Sequence, residues 1–475
     1  MAASEMAPFA KTGGLGDVLA ALPRELAVRG HDITVALPFY RCAREPAKQA
    51  VHTGHRITLP LGQRQCTADL WQLTLAPRLS LLLIRRDEYY DRSELYRLSE
   101  RDYEDNAERF IFFSKAVVAA STTLQLQPDI IHCHDWHTGL VPLYASLADS
   151  SVSRAKTVFT INNLAYQGRF WSLEFPLLNL PDSFFSAEAI EFYGQLNCMK
   201  SGIIFSHQIT TVSPRYSQEI LTPEHGYGLD PVLRSRMRDI YGILNGADYG
   251  EWNPETDHHL ATHYSASDLR GKAKCKRDLL REFGLAPTNA PVIGMVTRLT
   301  GQKGFDIFAA AADELLALDA RWIILGAGEK YFEEMLTRLA LKHPQKLAVR
   351  IAFDNSLAHK IEAGSDFYLM PSQFEPCGLN QLYSLRYGTI PIVRATGGLD
   401  DTVENYDEAS GAGTGIKFYD YTPAALVGTL RGALALYQVK PHWPRLRRNA
   451  MAADFSWSRA AEQYEKLYLG ELSHA

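Results

Sequence analysis

Short apolar runs, each ending in a small polar turn and followed by an amphipathic stretch, recur along this chain and restrict it to a narrow set of folds. In the first half the runs are Ile33 to Leu37 (ITVAL), Ile130–Ile131 ahead of HCHDWH, Thr157 to Ile161 (TVFTI) and Ile209 to Val212. In the second they are Val292 to Val296, Trp322 to Leu325, Phe367 to Met370 and Ile390 to Val393. Uninterrupted apolar runs of this length read as strands buried on both faces, and a helical period such as 307–318 between two of them marks a βα crossover. The pattern predicts an α/β protein with parallel sheets. Periodicity lapses over GILNGADYGEWNPETD, residues 242–257, where Gly, Asn, Asp and Pro crowd together as in linkers. A break there leaves halves of about 240 and 230 residues, each large enough for its own core.

Composition removes whole classes of function. With 49 Lys and Arg against 54 Asp and Glu, the net charge of −5 suits neither a nucleic-acid nor an anionic-membrane partner. No apolar run reaches the roughly 18 residues of a membrane helix, and MAASEMAPFAKTGG lacks the cationic flank and long apolar core of a signal peptide. The six cysteines (Cys42, Cys66, Cys133, Cys198, Cys275, Cys377) form no Cys-x-x-Cys pair and read as reduced thiols of a cytoplasmic protein.

Three clusters carry chemistry. Arg298-Leu-Thr-Gly-Gln-Lys303-Gly304 follows the strand Val292 to Val296, and two cations with two glycines at the carboxyl end of a parallel strand suit a diphosphate; the alternative is a solvated basic turn. Pro371-Ser-Gln-Phe-Glu375-Pro-Cys377-Gly378-Leu379-Asn380 follows the strand ending at Met370. A carboxylate between Phe and Pro there can bind sugar hydroxyls or counter a developing positive charge, or can simply start a helix. Cys377 has no partnered base and reads as a small buried side chain. Thr12-Gly13-Gly14 and Thr396-Gly397-Gly398 echo one another, each opening a helix where backbone amides can approach an anion or where an ordinary turn is needed.

HCHDWH (132–137) has metal-ligand residue types, but alternation along a strand end sends neighbours to opposite faces, so the segment reads as a loop aiming Asp135 and His137 at a polar ligand. Asn162-Asn163-Leu-Ala-Tyr166-Gln167-Gly168 follows TVFTI as another such loop. No Asp-x-Asp occurs anywhere, which removes one way of holding a metal-bound nucleotide diphosphate. Gly326-Ala327-Gly328 falls short of a dinucleotide fingerprint, which argues against a dehydrogenase.

Taken together, these segments resemble the bacterial glycogen synthase and starch synthase family, the retaining glucosyltransferases of glycosyltransferase family 5. The resemblance runs end to end through KTGGLGDV (11–18), DNAERFIFFSKA (105–116), HCHDWHTGL (132–140), NNLAYQG (162–168), TTVSPRYSQEI (210–220), GILNGADYGEWNP (242–254), TRLTGQKGFDI (297–307), PSQFEPCGLNQL (371–382), TGGLDDTV (396–403) and DFSWSRAAEQY (454–464). It implies a GT-B fold: an acceptor-side Rossmann-like domain over 1–242, a nucleotide-sugar domain over 243–455, parallel sheets facing across a deep cleft, and a final helix over 456–475 returning to the first domain. It further implies ADP-glucose as donor, an α-1,4-glucan such as glycogen as acceptor, and no cofactor or metal. Lys11, Gly13 and Gly14 would face the phosphates from one side, Arg298 and Lys303 would neutralise the leaving ADP, and Glu375 would hold the glucosyl hydroxyls. Asp135 and Asn245 would line the sugar and acceptor region, and Phe353 would stack on the base. Cys377, Gly378, Leu379, Thr396, Gly397 and Gly398 would complete the donor site.

Two positions depart from the family. Asn162 stands where the family has a His beside the transferred sugar; it keeps a donor and an acceptor but is shorter and cannot become cationic, which predicts a slowed or re-tuned enzyme. His207 replaces a common Asp, a change expected to be minor. The alternatives are a glucan-binding relative without turnover and a glucosyltransferase with another acceptor. Relatives begin with an apolar strand of which only Met1 to Ala3 remain here, so a truncated first strand in the first sheet, from a start codon assigned too late, is also expected.

Overall fold

Side chains along the second-half strands alternate between two apolar clusters, and this fixes the layering. Ile293, Met295, Trp322, Ile324, Phe367 and Leu369 enter one cluster with Phe305, Phe308, Leu430 and Trp443. Val292, Ile323, Leu325 and Tyr368 enter the other with Leu279, Ile361 and Leu382. A sheet with both faces occupied in this way is parallel and helix-covered, as the unbroken apolar runs require.

The computed structural model describes residues 1–98 and 101–472. The chain divides into two units, Met1–Asn245 with Trp457–Ala475, and Gly246–Ser456. The division falls inside the 242–257 break, and the last three residues of the expected 456–475 helix lie outside the described residues.

In the second unit six strands run in the order Leu347–Ile351, Arg321–Gly326, Val292–Val296, Phe367–Met370, Ile390–Arg394, Ile416–Phe418, all parallel. Strand order reverses between Val292–Val296 and Phe367–Met370, the switch point at whose carboxyl edge open α/β sheets bind ligands. Helices start on side-chain caps: Asp354 accepts the Leu357 amide and Thr422 that of Ala425, with Pro423 behind it. The helical period 307–318 is split into Phe305–Ala310 and Ala312–Ala317, because Ala311 bonds back to both Ile307 and Phe308.

In the first unit one four-stranded sheet (Ile33–Pro38, Leu79–Arg85, Arg64–Ala76, Val51–Leu61) and another (Ile130–His134, Lys156–Ile161, Gln208–Thr211, Ile240–Gly242) meet at Ala2. Ala2 bridges in parallel to Ala36 on one side and Cys133 on the other. Its amide donates to His132 O at 2.8 Å and its carbonyl accepts from His134 at 3.1 Å, so the short segment expected as a central strand joins the two sheets at their switch point. The helix Trp457–Leu469 belongs to this unit, where Glu465 takes Arg29 at 2.6 Å and His31 at 2.8 Å. His132 and His134 lie in the strand, which corrects the reading of all HCHDWH as a loop: His132 is tied to Tyr468 Oη at 2.7 Å and Thr160 Oγ1 at 2.6 Å. Burial pushes His134 down to about 3, so the ring stays neutral.

Candidate functional site

Three loops converge at the carboxyl edge of the second sheet. The turn Gly301–Lys303 follows the strand Val292–Val296, Pro371 to Leu379 follow Phe367–Met370, and Thr396 to Gly398 follow Ile390–Arg394. Gln373 donates its amide to Gln302 O at 2.8 Å, and Gly398 donates to Glu375 O at 3.1 Å. Glycine is required at the crossings. A Cβ on Gly304, whose φ is +83°, would stand 2.2 Å from Pro371 O, and one on Gly397 would stand 2.0 Å from Glu375 O. A Cβ on Gly398 would meet Cys377 O at 2.3 Å. The same reasoning explains Gly326 and Gly328, whose missing side chains admit Thr297 and Leu299.

These loops bring Lys303 and Glu375 together. The Lys303 ammonium donates to Glu375 Oε2 at 2.5 Å, and Ser372 Oγ donates to the same oxygen at 3.1 Å. Glu375 is buried and Lys303 largely so, and a charge-assisted contact in such surroundings is strong and directional. Arg298 is exposed on the same loop as Lys303. Cys377 is buried, Gly378 has φ +73°, and Leu379 caps the helix Asn380–Tyr387. Phe353 lies just past the edge strand Leu347–Ile351 and is 90% exposed, an aromatic face left to solvent.

In the first unit the expected residues lie at the carboxyl ends of strands around Ala2. Asp135 follows Ile130–His134 with φ +57° and ψ 178°, a conformation costly for a residue with a Cβ and characteristic of functional sites. Its Oδ1 accepts the Asn162 amide at 2.8 Å. Burial pushes the Asp135 carboxyl up to about 7, against the pull of the Asn162 and Asn163 amides, and the nearby Glu5 adds to the rise. The Asn162 side-chain NH2 helps hold the Asp135 carboxyl down, while Asn162 Oδ1 and Asn245 Oδ1 are buried without a hydrogen bond. Such orphaned amide oxygens are costly and rare away from binding sites.

The loop carrying Lys11 is organised by a residue that sequence reasoning passed over. Glu5, just beyond the bridging Ala2, accepts the Thr12 amide at 2.7 Å, the Thr12 hydroxyl at 2.7 Å and the Gly13 amide at 3.1 Å, and Tyr96 donates to it at 2.9 Å. The Gly13 amide is therefore engaged within the chain, while a Cβ on Gly13 would meet nothing within 4 Å. Gly14 is the first residue of the helix Gly14–Val28, and Lys11 pairs with Asp17 at 2.5 Å. His207 bonds to Thr157 at the opposite, amino end of the strand that leads to Asn162, which accounts for its small expected effect. The signal for Glu5 was a lone carboxylate just after the short apolar segment Met1 to Ala3.

Comparison with known proteins fits this geometry. A model of the starch synthase catalytic domain matches residues 1–235, and one of the glycosyl transferases group 1 matches residues 276–450. The glycogen synthase of Koribacter versatilis (strain Ellin345) is 48% identical over 473 residues, covering 98% of this chain and 96% of its own. That of Anaeromyxobacter sp. (strain Fw109-5) is 48% identical over 471 residues, covering 98% of each. The chain belongs to the glycogen and starch synthase family. Among solved structures, the catalytic domain of starch synthase IV from Arabidopsis thaliana, bound to ADP and acarbose, superposes with a TM-score of 0.91 at 33% identity, covering 99% of this chain and 98% of that one. The sucrose-phosphate synthase of Thermosynechococcus elongatus, at a TM-score of 0.62 and 15% identity, shares the fold. The two Rossmann-like units are those of the GT-B class. Among the described residues no helix is long and apolar enough to cross a membrane.

Proposed function

We propose that this member of the family transfers the glucosyl group of ADP-glucose to the non-reducing 4-hydroxyl of an α-1,4-glucan, with retention of anomeric configuration. The observation that carries the reading is the Lys303–Glu375 contact at the switch point of the second sheet. It sets a cation for phosphate beside a carboxylate for sugar hydroxyls, as a sugar diphosphate donor demands. Arg298 and Lys303 neutralise the charge that develops on the departing diphosphate. Glu375 accepts from glucosyl hydroxyls, and Phe353 offers a ring face to the base. The backbone of Cys377, Gly378 and Leu379 and the Thr396–Gly398 turn flank the donor. In the first unit Lys11 supplies a further cation to the phosphates, with Gly13 and Gly14 leaving room for them, while Asp135, Asn162 and Asn245 serve the sugar and the acceptor. Attack from the face the leaving group vacates, through an oxocarbenium-like state, keeps the anomeric configuration without a covalent intermediate.

Asn162 sets the rate in this reading. Its unpartnered Oδ1 can accept from a sugar hydroxyl but cannot carry positive charge there, so turnover is slow or re-tuned relative to a His-bearing relative. The cytoplasm is the compartment assigned, in keeping with six scattered cysteines that form no Cys-x-x-Cys pair.

The linkage provides the test. Label transferred from ADP-[14C]glucose onto glycogen should be released by β-amylase entirely as maltose, because that enzyme removes α-1,4-linked units from non-reducing ends. Label that resists release would place the transfer elsewhere on the acceptor.

A further inference from the structure

The segment that opens the second unit carries His258, His259 and His263 close to Glu251 and Asp257. Ligand atoms of Asp257, His258 and His259 all lie within 4.8 Å of one another. Asp257 is buried and rigidly aimed: His359 Nδ1 lies 2.7 Å and Tyr387 Oη 2.6 Å from its Oδ2, and the His259 amide donates to its Oδ1 at 2.9 Å. The His359 ring is itself clamped, stacked on Trp252 at 3.7 Å and 9°, with Trp252 stacked in turn on Tyr383 at 4.0 Å and 3°. The His258 and His259 rings stand 3.9 Å apart, and the His259 ring stands 4.7 Å from that of His359. His359 Nε2 is buried and faces the Glu251 carboxylate, with Oε1 at 3.8 Å. His258 is exposed and His259 half-buried, so the edge of the cluster opens to solvent.

We propose that Asp257, His258 and His259 form a binding site for a divalent transition cation of the zinc class, with His359 and Tyr387 holding the carboxylate ligand from behind. One carboxylate and two imidazoles form a borderline donor set that selects Zn2+ over Mg2+ or Ca2+, which prefer oxygen alone. A ligating carboxylate fixed by outer hydrogen bonds is the usual support of such sites. Donors around a tetrahedral zinc stand roughly 3.3 Å apart, and the exposed His258 ring closes the remaining gap by changing rotamer. The fourth position is left to water. Occupancy ties the 257–259 turn to the helices Asn355–Gly364 and Asn380–Tyr387 through Asp257, so the folded state alone gains the metal.

The experiment uses the full chain, purified without a histidine tag, stripped with EDTA and dialysed, then titrated with Zn2+ by calorimetry and scanned for Tm. One equivalent bound with a Kd below about 50 µM and a Tm raised by several degrees is expected. Both effects should weaken in His258→Ala, at an exposed position, and vanish in His258→Ala/His259→Ala, while the metal-free Tm of each variant stays at the wild-type value. Weaker binding by the native chain, or equal binding by the double variant, overturns the site and leaves the proposed transferase reading untouched.

Discussion

Lys303 and Glu375, 72 residues apart in sequence, meet at 2.5 Å where the chain crosses its own switch point. Removing one partner strands the other charge in a largely buried setting, which costs about 3–5 kcal/mol in such pairs. Lys303→Met and Glu375→Gln should each lower Tm and each cut glucosyl transfer at least a hundredfold. The double variant should regain most of the Tm and none of the activity. Thermal scans paired with transfer assays check this; a double variant as unstable as the singles would contradict the coupling.

Asp135 makes stability and activity pull in opposite directions. An unfolded chain releases this proton near pH 4, while the folded chain holds it to about 7. Between those values the unfolded state binds fewer protons, so this residue's contribution to stability falls as pH rises from about 4 to about 7 and stays low above. Asp135→Asn keeps an acceptor for the Asn162 amide without the buried charge. It should be more stable than the native chain at pH 8, by on the order of 1–4 kcal/mol, equally stable at pH 4, and nearly inactive. Denaturant melts at the two pH values decide it.

Asn162→His introduces the ring that the family resemblance leads one to expect at this position. Turnover should rise about tenfold or more with little change in the KM for donor, since each tenfold corresponds to about 1.4 kcal/mol of transition-state stabilisation. An unchanged kcat would show that Asn162 does not limit the rate.

The two Gly-Gly turns separate a folding role from a binding role. Gly397→Ala and Gly398→Ala drive a methyl into the carbonyls of Glu375 and Cys377 and should each cost about 1–3 kcal/mol. Gly13→Ala enters open space in extended backbone, with φ −157°, and should leave stability unchanged while raising the KM for donor. Chemical denaturation and initial-rate kinetics on the three variants read this directly.

Much of this was legible from the residues, and what was not had a common physical cause. The apolar runs 292–296 and 367–370 announced strands because both faces are buried, which needs no knowledge of partners. Lys303 and Glu375 were each legible as ligand groups from the turns around them, but their contact depends on two loops meeting across the sheet edge. HCHDWH read as a loop because its first three residues are held in the strand by backbone pairing with Val158 to Thr160 and with Ala2, partners remote in sequence. Glu5 stayed hidden because its work is to collect the amides of a turn that returns to it seven and eight residues later. Asp257-His258-His259 looks like any polar turn until Tyr387, 130 residues on, and His359, 102 residues on, fix its carboxylate.

Synthesis of α-1,4-glucan from ADP-glucose is read as label incorporated into ethanol-precipitable glycogen by the purified protein supplied with ADP-[14C]glucose or UDP-[14C]glucose. Steady, glycogen-dependent incorporation from ADP-glucose, well above that from UDP-glucose, is expected. No incorporation from either donor, at protein concentrations that would reveal even a slow enzyme, would contradict it.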